Sequence, residues 1–154
     1  MAVEIERKFL VTGDGWRMAI VRSRHMRQGY LASGPMQVRI RRVEDEAFLT
    51  IKGNRKGISR SEFEYPIPVD DADDILDSLC LHPPIDKVRH DVQHGGHLWE
   101  VDVYSGRHAG LIVAEVELDA IDEHFERPAW IGEDVTEDRR YSNAVLAELG
   151  PPER

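Results

Sequence analysis

Cysteine, long apolar runs and positive charge are all scarce in this chain, and each scarcity excludes something. The one cysteine, Cys80, cannot close an internal disulfide, so nothing asks for an oxidising compartment. It lies in the apolar stretch ILDSLCL, where a buried, inert thiol is expected rather than a nucleophile. No apolar run approaches the ~20 residues that a bilayer-spanning helix needs. The first residues turn charged at once, without an apolar signal segment, and a cytoplasmic protein is expected. Lysine and arginine number 20 against 29 aspartates and glutamates, a net charge of -9. That balance argues against nucleic acid as a partner, because phosphate backbones are bound through a basic field. It leaves room for a small anion in a local basic pocket.

The hydrophobic fraction of 41% is that of a folded globule. With 154 residues, no low-complexity linker and no repeat, the chain is expected to form one domain over residues 1–154. Period-2 alternation dominates and predicts strands at Val3–Leu10, His25–Leu31, Met36–Val43, Glu46–Lys52, Ser59–Val69, Ile85–Val92, His97–Ser105 and Leu111–Leu118. Gly95-Gly96 reads as a hairpin turn. Asp14 is placed as the cap of a short helix to Val21, with Trp16, Ala19 and Ile20 on its apolar side. Asp70 is placed as the cap of a helix to Leu81, buried through Ala72, Ile75, Leu76 and Leu79. Ser142 is expected to cap a last helix, Asn143–Leu149, stopped by Gly150 and Pro151. Eight mostly antiparallel strands with a few helices make an α+β fold, and eight strands can close into a small barrel.

The informative feature is the polar side of these strands. Neighbours on a strand face opposite ways, so Glu4, Glu6 and Lys8 share a face, as do Arg39 with Arg41 and Glu62 with Glu64. The same spacing joins Lys87 with Arg89, Glu100 with Asp102, and Glu115 with Glu117, while Lys52 stands in the same setting. In a chain that is 32% charged, one such pair arises by chance roughly one time in ten and means nothing. Six sets, each wedged between apolar residues and sorted by sign except for Lys8, are less easily random. An ordinary solvated face would mix in Thr, Ser, Gln and opposite charges. If the sheet closes, eight carboxylates and six cations confront one another across a lumen. Like charges ~5 Å apart repel by roughly 3 kcal/mol at an effective dielectric near 20. Paired carboxylates at that cost call for hard cations such as Mg2+ or Mn2+. One or two such ions would leave the lumen positive, able to hold a polyphosphate through arginine and lysine.

The same residues resemble the CYTH superfamily, the triphosphate tunnel metalloenzymes. The opening EIERK matches the ExExK signature of that family through Glu4, Glu6 and Lys8. Further matches run in order along the chain: QGYL, VRIR, LTIKG, EFEY, DKVR, WEVDVY, AEVEL and WIGEDVTEDRRYSN. The resemblance implies a closed tunnel of eight antiparallel strands with helices packed outside and a C-terminal helix near one mouth. It implies binding of triphosphates with Mg2+ or Mn2+, and the small members with this tail are similar to inorganic tripolyphosphatases. By position, Glu4, Glu6, Glu115 and Glu117 would lead as metal ligands, with Glu62, Glu64, Glu100 and Asp102 behind them. Lys8, Arg39, Arg41, Lys52, Lys87 and Arg89 would clasp the phosphates. Tyr30 of QGYL is implied as the proton acceptor, and Lys8 is counted with it as catalytic. Two positions depart from the pattern: His90 stands where relatives often carry tyrosine, and Asp134 replaces a common glutamate.

Other features are expected to be structural. His94-Gly95-Gly96-His97 is read as a turn, and Trp16, Trp99 and Trp130 as core. KGNRKG lacks the spacing and the succeeding helix of a phosphate loop. The same tunnel could serve as an adenylate cyclase, a nucleoside triphosphatase or a thiamine triphosphatase. A non-catalytic polyphosphate-binding module would explain the six bases but not the eight inward acids. Nothing in the sequence fixes the oligomeric state, and a homodimer is compatible with it.

Overall fold

The computed structural model describes residues 3–153. Among these, nine strands are present: β1 (Val3–Val11), β2 (Ile20–Ala32), β3 (Gln37–Val43), β4 (Glu46–Lys52), β5 (Ser59–Pro66), β6 (Ile85–His94), β7 (His97–Tyr104), β8 (Ile112–Glu117) and β9 (Ile131–Asp134). Two α-helices accompany them, α1 (Val69–Ser78) and α2 (Asn143–Leu149). The sheet runs β5-β4-β3-β2-β6-β7-β8-β1, and β1 pairs back onto β5, so eight antiparallel strands close a barrel. The β6–β7 hairpin turns through Gly95 and Gly96, both at positive φ (57° and 80°), the geometry a two-residue turn of right-handed twist requires.

The seam closes in two stages. One edge of β1 pairs with β5 over Val3–Ile5 and with β9 at Phe9 and Val11. Between them Thr136 fills the gap: its Oγ accepts from the Lys8 N–H at 2.9 Å, and the Val135 N–H donates to the Lys8 carbonyl at 2.9 Å.

Apolar side chains lie mostly outside the barrel, under covering segments. Phe9, Val92, Trp99, Val101, Ala114 and Val116 point outward beneath Trp16, Phe125 and Trp130. Edge-to-face contacts join Trp99 to Phe125 (5.8 Å) and to Trp130 (5.6 Å). Ile40 and Ala47 pack against Ala72 and Leu76 of α1, which carries Asp70 and Asp71 in its first turn, where the helix dipole favours them. A third cluster sits inside one end of the barrel. There Leu10, Tyr30, Ile85, Tyr104 and Val113 meet Tyr141, Ala144, Leu146 and Ala147, so α2 stoppers that mouth. Ser142 caps α2 by accepting from the Val145 N–H at 3.3 Å.

Several local expectations are corrected. The segment after Asp14 is a 3-10 turn over Gly15–Ala19, without a side-chain cap and with Ala19 exposed. Ile20 already belongs to β2, which starts five residues before the predicted His25 because it pairs with β6 from Ile85 as far as Val92. β5 stops at Pro66, short of Val69. Asp70 is not the cap of α1: Pro68 occupies that position, the helix ends at Ser78, and Leu79 is exposed. Cys80 is half-buried rather than buried, its thiol seated against Gly29, where a Cβ would lie 2.5 Å from Sγ. β9 has no counterpart among the predicted strands.

Candidate functional site

Alternation turns every second side chain of a strand into the barrel, and the lumen is a cavity of about 970 Å3. Twelve of the fourteen charged residues singled out above border it, as does Tyr30. They divide by strand. β7, β8, β1 and β5, which are neighbours in the closed sheet, carry Glu100, Glu115, Glu117, Glu4, Glu6, Glu62 and Glu64. β4, β3, β2 and β6, the other four, carry Lys52, Arg39, Arg41, Arg24 and Arg89, with Glu46 at the start of β4 and Glu44 and Asp45 of the turn before it as the acids on that side. Lys8 and Arg60 stand as cations within the acidic half.

Register explains the crowding. Glu6 lies directly across from Glu117, and Glu100 across from Glu115. Burial, with Glu115 and Glu4 adding to it, pushes the Glu6 carboxyl well above the usual carboxylate range. Burial and Glu4 raise Glu62 to about 7. Burial and the acids around it raise Glu117 as well. Glu115 goes the other way: burial opposes ionisation, but Lys8 (3.5 Å) and Arg89 overrule it and hold the carboxyl at about 2. Glu4 is likewise lowered against burial, by Lys52, whose Nζ donates to both carboxylate oxygens at 3.0 and 3.2 Å.

The basic half is pinned by polar neighbours. Arg41 Nε donates to Gln28 Oε1 at 2.8 Å, and Gln28 Nε2 donates to Tyr30 Oη at 3.4 Å. Arg39 reaches Thr50 Oγ at 3.3 Å, while its Nε is buried with no protein partner among the described residues. Lys8 Nζ donates to the Tyr141 carbonyl at 3.2 Å, tying the acidic half to the stoppered end.

Two expected lumen residues lie deeper instead, in the packed interior of the barrel against Tyr104. Lys87 and Asp102 are 0% and 1% exposed, and neither borders the cavity. Asp102 accepts from Lys87 Nζ at 2.7 Å and from Arg89 Nε and Nη2 at 2.8 and 2.9 Å. Burial lowers Lys87 to about 7, despite Asp102 beside it. His90 faces outward, its ring 5.2 Å from that of Trp16 and Nδ1 bonded to Ser23 at 2.6 Å. Asp134 anchors the tail by accepting from the Thr136 N–H and from Arg7.

Sequence reading missed Arg22, Arg24, Arg55 and Arg60, all of which border the lumen. Arg22 and Arg24 carry the same alternate spacing as the recognised pairs, but they precede the predicted start of β2 and so have no strand parity in the sequence reading. Arg24 sits directly across from Arg89, and Asp91 (2.6 Å) balances it.

The CYTH domain model matches residues 2–144 of the chain. An inorganic triphosphatase of Acetivibrio thermocellus is 44% identical over 149 residues, covering 96% of this chain and 95% of that protein. An inorganic triphosphatase of Nitrosomonas europaea is 38% identical, covering 94% and 96%. A solved inorganic triphosphatase structure superposes with a TM-score of 0.70 at 34% identity, over 99% of both chains.

Proposed function

The chain belongs to the CYTH domain family, and on that premise we propose that it is an inorganic triphosphatase, cleaving tripolyphosphate to diphosphate and phosphate in the barrel lumen. The observation that carries the reading is the division of one cavity into an acidic and a basic half. A bare anion would be repelled by the first, and a bare cation by the second. A divalent ion bound together with a triphosphate satisfies both.

A divalent metal goes with this family, and the donor set here suits one. The ligands on offer are carboxylate oxygens: burial, with neighbouring acids adding to it, makes Glu6 and Glu62 hold their protons tightly, while Lys52 and Lys8 keep Glu4 and Glu115 ionised. Among the described residues, no three His, Cys, Asp or Glu side chains converge into a closed cage. An ion held by one or two carboxylates, with phosphate and water completing its shell, would follow the habit of Mg2+ and, close to it, Mn2+. Glu4, Glu6, Glu115 and Glu117 are the proposed holders, with Glu62, Glu64 and Glu100 nearby. Such an ion supplies charge neutralisation and an acidified water.

The protein's own part is positioning and electrostatics, which phosphoryl transfer chiefly needs. Arg39, Arg41, Lys52 and Arg89 line the basic half and would clasp the phosphates, with Arg24 as a further candidate. Lys8, set among acids near the stoppered end, would neutralise charge growing on the reacting phosphate. Tyr30 Oη is proposed to take the proton of the attacking water. It borders the lumen and is oriented through the chain Arg41–Gln28–Tyr30. Tyr30→Phe should then cut turnover about a hundredfold, and an unchanged rate would remove it from the mechanism. A single domain over residues 1–154 and a cytoplasmic setting belong to the same proposal, the latter resting on the lone Cys80.

Orthophosphate release tests the function directly. Tripolyphosphate, ATP and thiamine triphosphate are supplied in turn with Mg2+, Mn2+ or EDTA. Turnover of tripolyphosphate above the other two, abolished by EDTA, is expected. Metal-independent binding without turnover would make the chain a polyphosphate-binding module instead.

A further inference from the structure

Asp102 is the most completely engaged carboxylate of the site. Its Oδ1 accepts from Arg89 Nε at 2.8 Å, and its Oδ2 accepts from both Arg89 Nη2 at 2.9 Å and Lys87 Nζ at 2.7 Å. It is 1% exposed and has no surface on the cavity. The side-on fork takes the Nε/Nη2 edge of the guanidinium, and Arg89 Nη1 is left to reach Glu100 at 3.2 Å, on the cavity side. Two-point pairing of this kind fixes the plane of an arginine as well as its charge. Lys87 Nζ, 5.4 Å from the ring centre of Tyr104, closes the remaining side. Two cations share one carboxylate here, in the packed interior of the barrel.

Resting on the triphosphatase reading, we propose that Asp102 is a positioning residue: it aims the Nη1 edge of Arg89 at the substrate and does not ligate the metal. A ligand would need a lone pair facing the lumen, and both oxygens of Asp102 are turned to Arg89 and Lys87.

The test compares wild type with Asp102→Asn, which keeps volume and one acceptor but loses the charge. Thermal melts establish that each variant is folded. KM for tripolyphosphate should rise about tenfold, while the Mn2+ concentration giving half-maximal rate stays within about twofold of wild type. A half-maximal Mn2+ concentration raised about tenfold or more, the loss expected when a residue that holds or orients the metal is removed, would overturn the proposal. Arg89→Lys keeps charge without the fork and should reproduce the KM change. In the double variant the two effects should merge, whereas full multiplication would show that Asp102 acts independently of Arg89. Should Asp102→Asn fail to fold, Asp102→Glu takes its place, with the charge kept and the carboxylate displaced. It should raise KM at an unmoved Mn2+ requirement, and a moved requirement overturns the proposal equally. Wild type that turns over no tripolyphosphate with either metal would sink the functional reading itself, an outcome separate from all of these.

Discussion

The two halves of the lumen solve opposite problems. On β4, β3, β2 and β6, cations are propped by neutral groups and by carboxylates: Gln28 behind Arg41, Thr50 beside Arg39, Asp102 and Glu100 on Arg89, Asp91 beside Arg24. On β7, β8, β1 and β5, carboxylates face carboxylates, and Glu6, Glu62 and Glu117 hold their protons more tightly than free side chains do. The basic half is preorganised for an anion. The acidic half is frustrated until a cation arrives. A barrel that kept both halves empty of ligand would carry unrelieved repulsion in its centre, so the asymmetry itself points to a metal and a polyphosphate bound together.

This contrast can be broken from either side. Reversing one charge of the basic half should have the largest effect: Arg39→Glu is expected to lower tripolyphosphate turnover about a thousandfold or more in steady-state assays. In the acidic half, Glu115→Gln should act through the metal, raising the half-activating Mg2+ concentration roughly 10–100-fold while KM at saturating metal changes little. If both variants gave the same kinetic signature, the division of labour would be wrong. Arg24→Ala, which removes an outlying cation already paired with Asp91, should raise KM only about three- to fivefold, worth about 1 kcal/mol.

The smallest effect concerns stability. Glu62 holds its proton up to about 7, against 4.5 for a free glutamate. Its folded-state affinity is raised, so the stability it contributes is full below 4.5 and is lost as pH climbs through about 7. In the metal-free protein, Glu62→Gln should therefore raise Tm by a few degrees at pH 8 and leave it unchanged at pH 4. Divalent ion should favour the wild type in the same comparison. Thermal melts with and without Mg2+ measure both.

Much of this architecture is legible in the residues alone. The bounds of β4 and α2 come directly from alternation and from the Ser142 cap, and the period of two placed twelve of the fourteen charges at the lumen. What alternation cannot give is depth. Lys87 and Asp102 have the right parity, but they pair with each other deeper in the barrel, off the cavity. Local capping chemistry also misleads: Asp14 looks like a helix start, yet long-range pairing with β6 draws Ile20 and its successors into β2, carrying Arg22 and Arg24 inward. β9 is four residues with a glycine inside, too short to show a period. It exists because the upper edge of β1 lies beyond the reach of β5.

The most direct measurement is a crystal structure grown with Mn2+ and tripolyphosphate, read by the anomalous signal of the metal. Manganese peaks against Glu4, Glu6, Glu115 or Glu117, with phosphates lying on Arg39, Arg41 and Arg89, are expected. Metal and phosphate found together outside the barrel, or phosphates resting on the acidic half with no ion between, would contradict the assignment of the lumen as the site.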